Sequence, residues 1–140
     1  MPEKMSAEEQ ELERKQLSVL LWWYWFGIVA ATAGELAFVF WSSAGASGPT
    51  GGLSNTTLVV GVMVAFMWLG VAVIYKTRFG GNGVPTAFFC WMLAKGGAIL
   101  GLVTYFLDPN WQFTFALVGG FLVIMGLLQP PVFLPEPLDD

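Results

Sequence analysis

Four apolar runs separated by short polar segments make up most of the chain, at 17–41, 58–75, 84–107 and 111–128. About 20 apolar residues rising 1.5 Å each cross a hydrocarbon core roughly 30 Å thick, so each run is read as a membrane-spanning helix. The third, Val84 to Leu107, carries the most internal pattern. Its small residues Ala87, Cys90, Ala94, Gly97, Gly101 and Thr104 recur at alternating steps of three and four, which places them on one helix face. Such a face admits the backbone of another helix, and Gly97 to Gly101 is a GxxxG step within it. Ala87, Ala94, Gly97 and Gly101 are therefore the expected helix-packing residues, and this run the expected centre of a bundle.

The flanks refine that picture. In the polar segment 1–16, Ser6 and Glu9 have the spacing of a capping box, and Glu11 and Lys15 are an i,i+4 pair in the favourable order. A short helix leading into the first span is expected there. Trp22, Trp23, Tyr24 and Trp25 open the first span and Trp41 closes it, as aromatic belts do at the two membrane interfaces. Ala44-Gly45-Ala46 looks like a signal-peptide cleavage site, but the apolar run before it is too long and the tail before that carries five glutamates. The helix is read as retained. Ser42 to Thr57 is uncharged and dense in Gly and Ser, and is expected to be a flexible loop. Its Asn55-Thr56-Thr57 sequon carries no weight, because such triplets are common by chance. Gly80, Gly81 and Gly83 lack the lysine and strand-to-helix setting of a phosphate loop and read as an interhelical turn. Pro85 suits the first turn of the third span. The short turn Asp108-Pro109-Asn110 forces the third and fourth spans into an antiparallel hairpin, and Gln129-Pro130-Pro131 stops the fourth. The Pro-rich acidic tail, 130–140, is expected to be extended and partly disordered.

Composition agrees with the hydropathy. Of 140 residues, 56% are hydrophobic and 11% charged, against roughly 25% charged in soluble domains. The net charge of −4 argues against nucleic acid and offers no basic patch for anionic lipid. With no His and one Cys there is no disulfide framework, zinc motif or haem attachment, and no cofactor or metal site is expected. Cys90, on the small face, reads as a packing residue. Lys4, Arg14 and Lys15 precede the first span and Lys76 and Arg78 lie between the second and third, while the other connections hold no Lys or Arg. The positive-inside bias then predicts an all-α integral membrane four-helix bundle with both termini cytoplasmic.

Two charges lie within the spans: Glu35 in the first and Lys95 near the middle of the third. Insertion scales put a central Lys near +3 kcal/mol, while nine Leu, Ile, Phe and Val residues of that helix contribute about −4 kcal/mol. The third span alone is a marginal inserter and needs a partner for its ammonium. The first and third spans run parallel, and ideal helical rise sets Glu35 and Lys95 about 9 Å apart in depth. Three readings stay open. The two form a buried ion pair fixing helix register; one of them is a proton or cation relay or a substrate counter-ion; or one meets a charge on another subunit.

The segment from Trp91 through Lys95, Gly96, Gly97 and Gly101 to Val103, followed by a short turn, an apolar helix and a proline stop, resembles a recurrent bacterial family of small four-span inner-membrane proteins. The likeness covers the C-terminal half and implies a multi-pass inner-membrane location without implying an activity. Members usually carry a glutamate where Lys95 stands, so Glu35 is the candidate compensating charge. Ala33-Gly34-Glu35 is also similar to the first-span glutamate region of the small multidrug transporters, although their later motifs are missing. The combined expectation is a non-enzymatic bacterial inner-membrane protein, an accessory, assembly or structural subunit of a membrane complex. Its partners would be the bilayer and other membrane subunits or a homo-oligomer. The alternative is a small homodimeric proton-coupled transporter using Glu35. An enzyme is not expected, since no nucleophile–base pair or metal cluster is legible.

Overall fold

In the computed structural model, residues 6–42, 54–78 and 83–134 are described, and they are all helix and turn. Four helices follow in order: α1 (Ala7–Ser42), α2 (Asn55–Thr77), α3 (Val84–Leu107) and α4 (Trp111–Leu127). A 3₁₀ turn, η1 (Pro130–Phe133), comes after them. The loop residues 43–53, Gly80 and Gly81, and the tail from Pro135 onward lie outside the described residues.

Local chemistry sets the ends of these helices. At the start of α1, the Ser6 N–H donates to Glu9 Oε2 at 2.8 Å and the Glu9 N–H donates to Ser6 Oγ at 3.3 Å. This reciprocal box holds the Glu9 carboxyl below its ordinary range, chiefly through the Ser6 N–H. One helix then runs unbroken for 36 residues, about 54 Å, so its polar first turns extend beyond a bilayer core. Helix α2 starts three residues before its apolar run. Ser54 is its N-cap, with Oγ accepting from the Thr57 N–H at 3.2 Å, so the polar triplet read as loop is the first helical turn. Helix α2 ends on Arg78 in the left-handed region (φ 51°), which places the Arg78 N–H on Ile74 O. Helix α3 follows Gly83 (φ 98°), where an L side chain would be strained. Helix α4 is capped by Asn110 Oδ1, which accepts from the Phe113 N–H at 3.1 Å.

Contacts along the chain give the packing directions. Tyr24 meets Phe88 and Glu35 meets Lys95, so α1 and α3 are parallel. Cys90 reaches Val71 and Trp68 reaches Ala94, so α2 is antiparallel to α3. Thr114 meets Gly101 and Trp91 meets Leu128, so α4 is antiparallel to α3 as well. Helix α3 is central: it buries eleven residues, whereas α1 and α2 bury three each. The small face of α3 is enclosed, with Ala87, Cys90, Ala94, Gly97, Gly101 and Thr104 all buried. The Trp68 indole of α2 lies in the groove that Gly97 and Gly120 leave between α3 and α4. A Cβ on Gly97 would stand 2.5 Å from Trp68 Nε1, and one on Gly120 would collide with the same ring. Gly101 is closed by Leu117, 2.9 Å from where its Cβ would be. The glycines of α1, Gly27 and Gly34, have nothing within 4 Å of that position.

The segment after α4 departs from the extended tail expected of it. Pro130–Phe133 forms a 3₁₀ turn that carries Phe133 into the core, its ring 5.6 Å from Trp91 and 6.0 Å from Tyr75. Proline fixes φ near −65°, which suits such a turn, but leaves no N–H for the carbonyls ending α4. Two indoles supply donors at this end: Trp91 Nε1 to Leu128 O at 2.8 Å and Trp25 Nε1 to Met125 O at 2.9 Å. Trp25 therefore faces inward, while Trp23 and Trp41 stand exposed as interface residues do.

Helices α1, α2 and α3 are each long and apolar enough to cross a membrane. Helix α4, apolar but only 17 residues long, spans about 26 Å.

Gly97→Leu and Gly101→Leu are expected to lower stability by about 3 kcal/mol each, because the added side chain displaces an indole or a leucine already in close contact. Leu100→Ala, on a half-buried position, should cost less, and Gly27→Leu close to nothing. Thermal melts in detergent check the order, which fails if all four variants melt together.

Candidate functional site

Lys95 and Glu35 face one another between α3 and α1, with Lys95 Nζ 3.1 Å from Glu35 Oε1. The register explains how they reach. Tyr24 meets Phe88, a difference of 88 − 24 = 64 positions. By that offset Glu35 is level with residue 99, four past Lys95. At the helical rise this is about 6 Å, less than the roughly 9 Å obtained from nominal span centres, and two long side chains cover it. The α1 face carrying Glu35 is the one that packs inward: Leu21, Trp25, Ile28, Thr32, Glu35 and Val39 follow at steps of four and three.

The two partners are unequally covered. Lys95 keeps 15% of its side chain exposed and Glu35 keeps 41%, so the pair sits at the edge of the bundle with the acid outermost. Its immediate surroundings on α1 are small. Gly27, Ala30, Ala31, Ala33, Gly34 and Ala37 form the exposed middle of that helix, between bulky exposed Phe26 and Phe38. Glu35 Oε2 is buried with no hydrogen-bond partner, and so is the hydroxyl of Tyr105, in the cluster that Val39 joins one turn away. A groove of about 380 Å³ runs along α1 between Lys15, Gln16, Val19, Leu20 and Trp23, twelve or more residues before Glu35. Among the described residues, no group of three or more His, Cys, Asp or Glu is placed to hold a metal ion. Cys90 is buried, with Sγ 3.8 Å from Val71 O, in a packing position.

A second polar cluster stands at the opposite end of the bundle from the basic loop. The Asp108 carboxylate, on the α3–α4 turn, accepts from the hydroxyl of Thr57 at 2.7 Å and from that of Ser54. It therefore ties the turn to the first turn of α2. These hydroxyls, Ser54 first, hold the Asp108 carboxyl below its ordinary range. Hydropathy could not show this partnership, since Ser54 and Asp108 lie 54 positions apart. The inward placing of Trp68 had a visible signal: Thr57, Gly61, Val64, Trp68, Val71, Tyr75 and Arg78 repeat at steps of four and three along α2, as the small residues do along α3.

No protein-family model matches the chain, and neither does any curated protein or solved structure.

Glu35→Gln and Lys95→Met, each leaving the other partner in apolar surroundings, are expected to cost about 3 kcal/mol, the low end for a buried pair because Glu35 is partly uncovered. The double variant should cost less than the sum, giving a coupling of at least about 1 kcal/mol in a double-mutant cycle. Strict additivity would show that the pair contributes nothing. For Asp108 the sign follows from its lowered carboxyl. Its stabilising contribution is complete above the unfolded carboxylate range and disappears as pH falls through the depressed folded value. Wild type should therefore melt above Asp108→Asn at neutral pH, with the gap closing on acidification. A gap that is constant with pH would rule this out.

Proposed function

We propose that the chain is a non-enzymatic, multi-pass inner-membrane protein of a bacterium, with four spans, both termini in the cytoplasm, and a role as an accessory, assembly or structural subunit of a membrane complex. The observation that carries this reading is the position of the ion pair. Lys95 is answered within the chain, yet Glu35, on the inward face of α1, keeps 41% of its side chain uncovered at the edge of the bundle. Charge bordering lipid is costly, so a neighbouring protein surface is its favoured cover. Beside it the exposed Gly and Ala residues of α1 let another helix come close. The bias of Lys and Arg toward Arg14, Lys15, Lys76 and Arg78 supports the orientation, and the likeness of the Trp91–Val103 segment to small four-span proteins supports the setting.

A small homodimeric proton-coupled transporter is the second reading, and the unpartnered Glu35 Oε2 is what favours it. Purification in a mild detergent, with the mass of the complex measured, separates the two. A stable heteromeric assembly disrupted by Gly34→Leu is the expected result. A homodimer with proton-linked flux that Glu35→Gln abolishes would replace the subunit reading with transport. A strictly monomeric protein without flux would remove both.

A further inference from the structure

The outer side of α1 carries, in order along its axis, a carboxylate, an ammonium, an amide and an apolar groove. From that order we infer that this face binds phosphatidylethanolamine, holding its headgroup and the upper part of one acyl chain. The inference rests on α1 crossing the membrane and is independent of any complex the chain joins. Glu11, Lys15, Val19 and Trp23 follow one another at steps of four, so each stands about one turn from the next along one side of the helix.

Lys15, Gln16, Val19, Leu20 and Trp23 border the groove of about 380 Å³. It faces away from the bundle: Val19, Leu20 and Trp23 are exposed, whereas Leu21 is buried and the Trp25 indole turns inward onto Met125 O. Gln16 to Trp23 is 23 − 16 = 7 residues, about 10 Å of helix, or roughly two-thirds of the hydrocarbon depth of one leaflet. The exposed small residues of α1 begin with Gly27, one turn beyond Trp23, so a lipid here leaves that surface free for another helix.

The charges above the groove select the headgroup. Lys15 Nζ lies 2.7 Å from Glu11 Oε1, and both side chains are largely exposed. The hydrogen bond from Lys15, and then its charge, hold the Glu11 carboxyl below its ordinary range, so Glu11 is ionised at neutral pH. An ammonium has three donors and a carboxylate about four acceptor positions, so each partner of the pair can still bind a further group. A phospholipid with its chain in the groove brings its phosphate to Lys15 and whatever lies beyond the phosphate to Glu11. Ethanolamine ends in a primary ammonium that donates to the carboxylate. Choline has no N–H to donate, and the headgroup of phosphatidylglycerol has no cation to set against Glu11. The basic end of α2 lacks this order: after Lys76 and Arg78 no acidic residue follows in the chain until Asp108.

The test reconstitutes the full chain in nanodiscs of equal parts phosphatidylethanolamine and phosphatidylcholine, transfers it to a mild detergent, and counts the retained lipids by native mass spectrometry. Wild type should retain phosphatidylethanolamine over phosphatidylcholine about fivefold, the selectivity of one exposed charged contact. Glu11→Gln should remove the preference while lipid is still retained, and Lys15→Gln should lower retention of both lipids. Glu11→Lys combined with Lys15→Glu keeps the pair and the net charge but reverses their order, and should lose the preference. Equal retention of the two lipids by wild type, or a preference that survives the reversal, would overturn the proposal. So would phosphatidylglycerol displacing phosphatidylethanolamine in a parallel mixture. A chain that does not enter the discs at all would remove the membrane reading with it, an outcome distinct from entry without selectivity.

Discussion

An ammonium group in the middle of an apolar helix cannot face lipid, and much of the architecture follows from that restriction. Lys95 cancels most of the insertion energy of its own helix, so α3 has to be enclosed by protein. The surrounding helices answer it on different sides. Helix α1 brings the carboxylate, α2 brings Trp68 against the glycine face, and α4 closes Gly101 with Leu117. The helix least suited to stand alone in a bilayer is thus the one buried most deeply.

Close approach is what makes the enclosure possible. Gly97 and Gly120 act together, since neither alone would leave room for an indole between two helices. The Trp68 N–H in turn lies 3.4 Å from Ala94 O, on the helix the ring packs against. Polar side chains near the ends complete the frame by meeting backbone groups that helix geometry leaves unpaired. Trp25 and Trp91 serve the carbonyls at one end of α4, and Asn110 serves the N–H groups at the other.

Much of this was legible in the sequence because it depends on periodicity. The bounds of α3, Val84 to Leu107, are those of the hydropathy run, since Pro85 and Asp108-Pro109 mark its two ends in the chain itself. The buried small face of α3 follows from steps of three and four. What escaped were features set by residues distant in sequence. The polar Ser54–Thr57 segment reads as loop until the Asp108 carboxylate is opposite it. Pro130 to Phe133 reads as a tail until Trp91 and Tyr75 offer Phe133 a place. The distance between Glu35 and Lys95 depended on the relative shift of α1 and α3, which the Tyr24–Phe88 contact reports and hydropathy does not.

The bond from Trp25 to Met125 also has a meaning in time. The indole and its acceptor are separated by a hundred positions, and three helices are made between them. At ribosomal speeds of about 5–20 residues per second, α1 waits roughly 5–20 seconds before that acceptor exists. During that interval its inward face, Glu35 included, has no finished bundle to join. The first helix to be synthesised therefore docks fully only when nearly the last has emerged, and for much of that interval its carboxylate stands without the lysine that will answer it.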